Sequence, residues 1–149
     1  MKKVVIGSDH AGFAVKERII KELGNDYEFL DMGPKNENDV DYPVLAEKVA
    51  QQVALNTDVQ GVVICGNGVG ISIAANKVKG VRCGLAYSVD AAKCARLHND
   101  ANVVSVAGRS PMMDDPVEIV KVFLETDFSG IDRHARRVKQ VMEIEKRNS

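Results

Sequence analysis

Short apolar runs alternate along the chain with stretches whose apolar residues recur every three or four positions, so strands and helices are predicted in turn. Positions 4–7 read as a first strand and 13–23 as a helix with Val15, Ile19, Ile20 and Leu23 on one face. Positions 27–31 follow as strand two. The polar, turn-rich segment 33–38 leads to a helix that Pro43 opens and that runs to about Leu55, with Val44, Ala46, Val49, Ala50 and Val53 available for packing. Strand three is predicted over 62–64, a helix over 69–77 and strand four over 81–86. Ser88 caps a helix running toward Leu97, strand five covers 103–106, a helix starts at Asp114 or Asp115 and ends near Glu125, and a charged helix spans 133–147.

Such alternation predicts right-handed βαβ units. The fold class is α/β, a Rossmann-like three-layer sandwich with a mostly parallel five-stranded sheet and a C-terminal helix. With 149 residues, 45% of them hydrophobic, residues 1–149 suffice for one domain with a substantial core. Twenty basic residues against 21 acidic ones leave no general attraction to nucleic acid or anionic lipid. No apolar run is long enough to span a membrane. Met1-Lys2-Lys3 leads straight into a strand pattern without the features of a secretory signal, and three cysteines, Cys65, Cys83 and Cys94, lack CxxC spacing. A cytoplasmic protein with neither a disulfide framework nor a structural zinc site is expected.

Residues 61–76 then change the picture, because an apolar strand ends at Cys65 and a glycine-rich turn follows, opening a helix. Gly66, Gly68 and Gly70 let backbone approach a ligand closely, and unpaired amides at a helix start favour negative charge, a thiolate included. Buried small-residue packing is the other reading of Cys65. The glycines space as GxGxG, with Ile71 where the third glycine of GxGxxG belongs, which argues against a dinucleotide cofactor.

Ligands of parallel α/β sheets sit beyond the carboxyl ends of the strands. That rule draws attention to Asp9 and His10 after strand one, Cys65 to Gly68 after strand three, Tyr87 after strand four, and Arg109 after strand five. His98-Asn99-Asp100, read as the loop before strand five, is expected to join a polar cluster at one rim. Asp9 suits either a helix cap or a sugar hydroxyl, and His10 either a helix cap or neighbouring carbonyl, or a phosphate or hydroxyl. His98 serves either a helix end or acid–base chemistry near neutral pH. Arg109 is well placed for an anion. Arg133, Arg136 and Arg137 read as a solvated face or as phosphate forks, with His134 structural or exposed.

Four ordered motifs together resemble the ribose-5-phosphate isomerase type B group of sugar-phosphate isomerases: residues 7–12 (GSDHAG), Asp41-Tyr42-Pro43, residues 65–77 and residues 98–103. The resemblance implies interconversion of ribose 5-phosphate and ribulose 5-phosphate with no metal or organic cofactor. It also implies a homodimer or tetramer with active sites shared between subunits. By similarity Cys65 is the base and His98 opens the sugar ring. Asp9 holds sugar hydroxyls, Tyr42 is part of the sugar pocket and Asn99 contacts the substrate, Gly66, Asn67, Gly68 and Gly70 hold the enediolate, and His10, Arg109, Arg133 and Arg137 bind phosphate. His10, Arg133 and Arg137 are expected to act from the partner of the chain that supplies Cys65.

The chain departs from the pattern at Asn67, where many members carry threonine, and at residues 129–132, which leave Arg136 as the alternative to Arg137. Val69 occupies the place of the glutamate base of some relatives, which strengthens Cys65. The alternatives are a galactose-6-phosphate or allose-6-phosphate isomerase and a noncatalytic sugar-phosphate sensor.

Overall fold

Five parallel strands in the order β2-β1-β3-β5-β4 form the centre of the computed structural model, which describes residues Met1–Ser149. They are β1 (Lys2–Ser8), β2 (Tyr27–Asp31), β3 (Gln60–Cys65), β4 (Cys83–Leu85) and β5 (Val103–Ala107). The helices are α1 (Phe13–Leu23), α2 (Tyr42–Leu55), α3 (Val69–Ala75), α4 (Val89–Asn99), α5 (Pro116–Glu125) and α6 (Asp132–Arg147).

Both faces of the sheet are covered, which explains why its three central strands are almost wholly apolar rather than alternating. The period of two still sorts side chains between layers. Val4, Ile6, Val62, Ile64, Val104 and Val106 join the core beneath α1, α4 and α5, while Val5, Val63, Cys65 and Val103 join the one beneath α2 and α3. Helix α6 packs on α4.

The boundaries differ from the sequence reading where side chains intervene. Helix α3 ends at Ala75 because Asn76 turns to β4: its Oδ1 accepts from Cys83 N at 2.7 Å and its Nδ2 donates to Cys83 O at 3.0 Å. Strand β4 shortens to three residues at the sheet edge, whereas β3 lengthens to six in the buried middle. A 3-10 turn at His10–Gly12 precedes α1, capped by Asp9, whose Oδ1 accepts from Gly12 N at 3.0 Å. On α2 it is Leu45 that packs inward, and Val44 is exposed.

Lys16 is the largest departure from a simple apolar face. Its side chain is wholly buried, and Nζ lies 2.7 Å from Asp31 Oδ2 and 3.0 Å from Glu17 Oε1. The four-carbon stem fills the core while the ammonium reaches two carboxylates that water still touches. Asp31 in turn accepts from Gly33 N at 2.9 Å, and Gly33 O accepts from Ser8 N at 3.0 Å. The buried ammonium thereby fixes the loop beside the end of β1.

Candidate active site

The chain leaves β1 toward one edge of the sheet and later enters β3 on the other side, so the crevice between their carboxyl ends is a topological switch point. Asp9, His10, Cys65 and the glycine turn meet there. Cys65 is 5% exposed, packed within the α2 and α3 core, and its Sγ lies 4.0 Å from Asn67 Oδ1.

Peptide geometry makes the turn after Cys65 a set of outward donors. In a trans peptide the carbonyl and the next N–H point opposite ways, so fixing one oxygen aims one hydrogen. Cys65 O accepts from Gly108 N at 2.8 Å, and Gly66 O accepts from Arg109 N at 2.9 Å and Ser110 N at 3.0 Å. Asn67 O accepts from the Tyr87 hydroxyl, and Gly68 O accepts from Ser105 Oγ at 2.6 Å. The N–H groups of Gly66, Asn67, Gly68 and Gly70 have no acceptor within the chain, whereas Val69 N donates to Asn67 Oδ1 at 2.9 Å. Four consecutive carbonyls are held by donors, and the amides left over form an anion-binding nest.

Gly68 carries this turn at φ 79°, a conformation that an L side chain resists. Gly70 has another reason to lack a side chain: a Cβ there would come within 2.7 Å of Tyr42 Cζ, so the Tyr42 ring lies directly over the start of α3.

His10 Nδ1 accepts from Val40 N at 3.3 Å, which assigns the proton of a neutral ring to Nε2. That nitrogen lies 3.7 Å from Asp39 Oδ1. Arg109 is exposed at the same rim, tied through its backbone to Gly66.

His98 and Asn99 do not join this rim, which corrects the sequence expectation of one polar cluster. They form the last turn of α4 and not a loop, and α4 runs back against the strands to the amino end of β5. There Arg82 Nε donates to Asp100 O at 2.8 Å and Asn102 N donates to Arg82 O at 2.9 Å, just before β4 and β5 begin. Cys65 pairs with Ala107 at the far end of β5, so four strand steps, roughly 13 Å, separate the two ends.

A second cluster gathers at that far end. The His98 and His134 rings have centroids 4.6 Å apart, and Ser129 Oγ lies 2.7 Å from His134 Nδ1. Arg133 and Arg137 flank His134 on α6, and Arg137, unlike Arg136, lines a groove of about 810 Å³ with Asn99 and Ala101. Burial first, then the charges of Arg133, His98 and Arg137, hold the His134 pKa below the usual histidine value. His10 therefore sits with Cys65, while Arg133 and Arg137 sit with His98 and Asn99, so the expected grouping of His10 with the arginines does not occur within one chain.

Lys16, Ser105 and the partnership of His98 with His134 escaped the sequence reading, and Tyr87 was placed at the rim without a partner. A lone serine inside the apolar run of β5 was the visible signal for Ser105. No three His, Cys, Asp or Glu side chains converge in a way that holds a metal ion, and no helix is long and apolar enough to cross a membrane.

Comparison with known proteins places this architecture. The chain is 39% identical to a ribose-5-phosphate isomerase B of Mycolicibacterium paratuberculosis, over 97% of this chain and 92% of that protein. Among solved structures it is similar to a Clostridium thermocellum ribose-5-phosphate isomerase B, with a TM-score of 0.92 at 43% identity over 99% of both chains. It also resembles a Mycoplasma genitalium ribose-5-phosphate isomerase B with bound ribulose-5-phosphate, with a TM-score of 0.90 at 39% identity, over 97% of this chain and 96% of that one. Residues 4–141 match the Ribose/Galactose Isomerase family, and the chain belongs to it.

Proposed function

We propose that this protein is an aldose–ketose isomerase, a single domain over residues 1–149, that interconverts ribose 5-phosphate and ribulose 5-phosphate with no metal or organic cofactor. The observation that carries the reading is the nest of unpaired N–H groups at Gly66, Asn67, Gly68 and Gly70 beside the Cys65 sulfur. The reaction needs this pairing: a base that takes the C2 proton of the open aldose, donors for the negative charge that develops on O1 and O2, and return of the proton to C1. Cys65, as thiolate, is the base. Each aimed amide contributes about 3 kcal/mol to the enediolate-like transition state. His98 opens the ring by taking the proton of the O1 hydroxyl and delivering a proton to the ring oxygen as the bond from C1 to that oxygen breaks and the C1 carbonyl forms. Asp9, Tyr42 and Asn99 hold the sugar, and His10, Arg109, Arg133 and Arg137 bind the phosphate.

Two copies of the chain complete one site. Cys65 and His98 lie at opposite ends of the same sheet, too far apart to act on one pentose, so the His98, Asn99, Arg133 and Arg137 cluster serves the Cys65 rim of a second subunit. His10 stays with Cys65 in this division. The free thiols of Cys65, Cys83 and Cys94 suit a reducing cytoplasm.

Incubation of the purified protein with ribose 5-phosphate, galactose 6-phosphate and allose 6-phosphate, with each ketose product quantified, tests the reading. Ribulose 5-phosphate formation that is fastest of the three and lost in Cys65→Ala supports it. A preference for a six-carbon sugar, or no turnover of any of them, overturns it.

A further inference from the structure

We infer that Tyr87 and Ser105 are positioning residues that aim the amide nest, an assignment that rests on the proposed isomerisation. Two consecutive peptide planes carry the middle of the turn: the first bears the free Gly68 N–H, and the second bears the Val69 N–H that Asn67 Oδ1 accepts at 2.9 Å. Gly68 and its outward amide thus sit between two held planes. The plane joining Asn67 to Gly68 is held by the Tyr87 hydroxyl on Asn67 O, and the plane joining Gly68 to Val69 by Ser105 Oγ on Gly68 O, at 2.6 Å. The neighbouring planes on the Cys65 side are fixed differently, by the backbone N–H groups of Gly108, Arg109 and Ser110. Backbone clamps survive any side-chain change. In the middle, Asn67 O depends on a hydroxyl alone, and Gly68 O takes the shorter of its two bonds from one.

Ser105 is built into a strand, and Tyr87 into the short bend that joins β4 to α4. Ser105 sits in the centre of β5, wholly buried and between apolar neighbours, where its hydroxyl has no partner other than Gly68 O. Tyr87 follows β4 and is half-buried, its backbone anchored on one side by Ala86, which is wholly buried, and on the other by Ser88, the cap of α4. The clamped residue also has a glycine's freedom to turn: Gly68, at φ 79°, lacks the side chain that would restrict a peptide flip. Ser72 N still donates to Gly68 O at 3.3 Å, so loss of Ser105 Oγ loosens this plane without stranding its oxygen. Loss of the Tyr87 hydroxyl leaves Asn67 O to solvent at the exposed rim.

A donor that wanders from its acceptor loses most of its value for developing charge, because preorganisation is what makes it effective. The consequence falls on the transition state and spares ground-state binding of the phosphate, which other residues hold. Tyr87→Phe and Ser105→Ala are each expected to lower kcat about tenfold with KM within twofold of wild type. The same variants bind a four-carbon sugar-phosphate hydroxamate, an enediolate mimic, about tenfold more weakly, while competition by inorganic phosphate is unchanged.

The decisive experiment measures kcat, KM, hydroxamate inhibition and urea stability for wild type, Tyr87→Phe, Ser105→Ala and the double variant. Deuterium exchange at C1 of ribulose 5-phosphate reports the proton-transfer step separately from ring opening. A fall in kcat, C1 exchange and hydroxamate affinity by the same factor, with KM retained, supports the assignment. Reduced stability with kcat and C1 exchange within twofold of wild type overturns it and leaves both residues structural. Absence of turnover and of C1 exchange in the wild type overturns the isomerase reading itself, and this assignment with it.

Discussion

Gly68→Ala isolates the backbone conformation on which the nest depends. At φ 79° an alanine costs about 1–2 kcal/mol from the clash of its Cβ with the backbone. The added Cβ also meets Leu85 Cδ1 at 2.8 Å and the Val106 carbonyl carbon and oxygen at 3.1 Å. The leucine methyl can rotate away, but the Val106 carbonyl lies in β5 at the centre of the sheet, so the turn itself must shift. That overpacking adds about 1 kcal/mol, for a total of about 2–3 kcal/mol of lost stability. The shift carries the Gly68 N–H away from the enediolate oxygen, which is expected to lower kcat about a hundredfold, as for loss of one oxyanion donor. Urea unfolding at matched protein concentration measures the first quantity and steady-state turnover of ribose 5-phosphate the second. Gly70→Ala is the control: the nearest atoms to its Cβ all belong to the Tyr42 ring, a side chain 40% exposed that can yield, so stability drops by less than about 1 kcal/mol and the change appears in KM. Wild-type stability in Gly68→Ala, or reduced stability with kcat within threefold of wild type, refutes the reasoning.

The buried Lys16 pair is predicted to respond asymmetrically. Asp31→Ala leaves a wholly buried ammonium with Glu17 alone and costs about 2–3 kcal/mol, whereas Lys16→Met leaves carboxylates that water already reaches and costs about 1 kcal/mol or less. Urea midpoints give the comparison, and a larger loss in Lys16→Met contradicts it. The lowered His134 pKa makes stability depend on acid: the unfolded chain binds the proton more readily, so this contribution is intact above about pH 6.5 and is lost as pH falls through the depressed folded value. His134→Gln removes that part of the slope, and identical slopes in urea titrations of variant and wild type from pH 7 to pH 5 rule it out. Burial pushes the Cys83 thiol up to about 12, so iodoacetamide at pH 8 leaves Cys83 unmodified, as read by peptide mass spectrometry. Rapid carbamidomethylation of Cys83 at that pH speaks against its burial.

Much of the fold was legible because buried parallel strands write themselves as apolar runs and their helices as three-to-four-residue stripes. The sheet and all six helices arise where positions such as Val62, Val104, Ile19 and Val49 announced them. What escaped was tertiary. Nothing local in the sequence says that Lys16 is wholly buried, since its partner Asp31 is supplied by another element. Asn76 shortened α3 through bonds to a strand still to come.

The candidate site was legible in composition and misread in position. Cys65 and the glycines stand together because the switch point of the sheet follows from chain order, as does the proximity of Asp9 and His10. His98 was assigned to the same rim from its polar neighbours alone, although a helix that follows a parallel strand must return to the opposite end before the next strand starts. That rule places the end of α4 far from Cys65. Tyr87 and Ser105 illustrate a different limit, because their significance lies in backbone oxygens they hold, and no pattern of side chains along the chain reveals such a bond.

Mixing two inactive variants tests most directly whether one site is made from two chains. Cys65→Ala and His98→Ala are purified separately, then dissociated and reassociated together at equal concentration. A heterodimer holds one site with both residues intact and one with neither, so random pairing restores about one quarter of wild-type turnover of ribose 5-phosphate. Recovery near that fraction, absent when either variant is treated alone, is the predicted result. No recovery despite heterodimers detected by native mass spectrometry contradicts a site shared between the Cys65 rim of one subunit and the His98 cluster of the other.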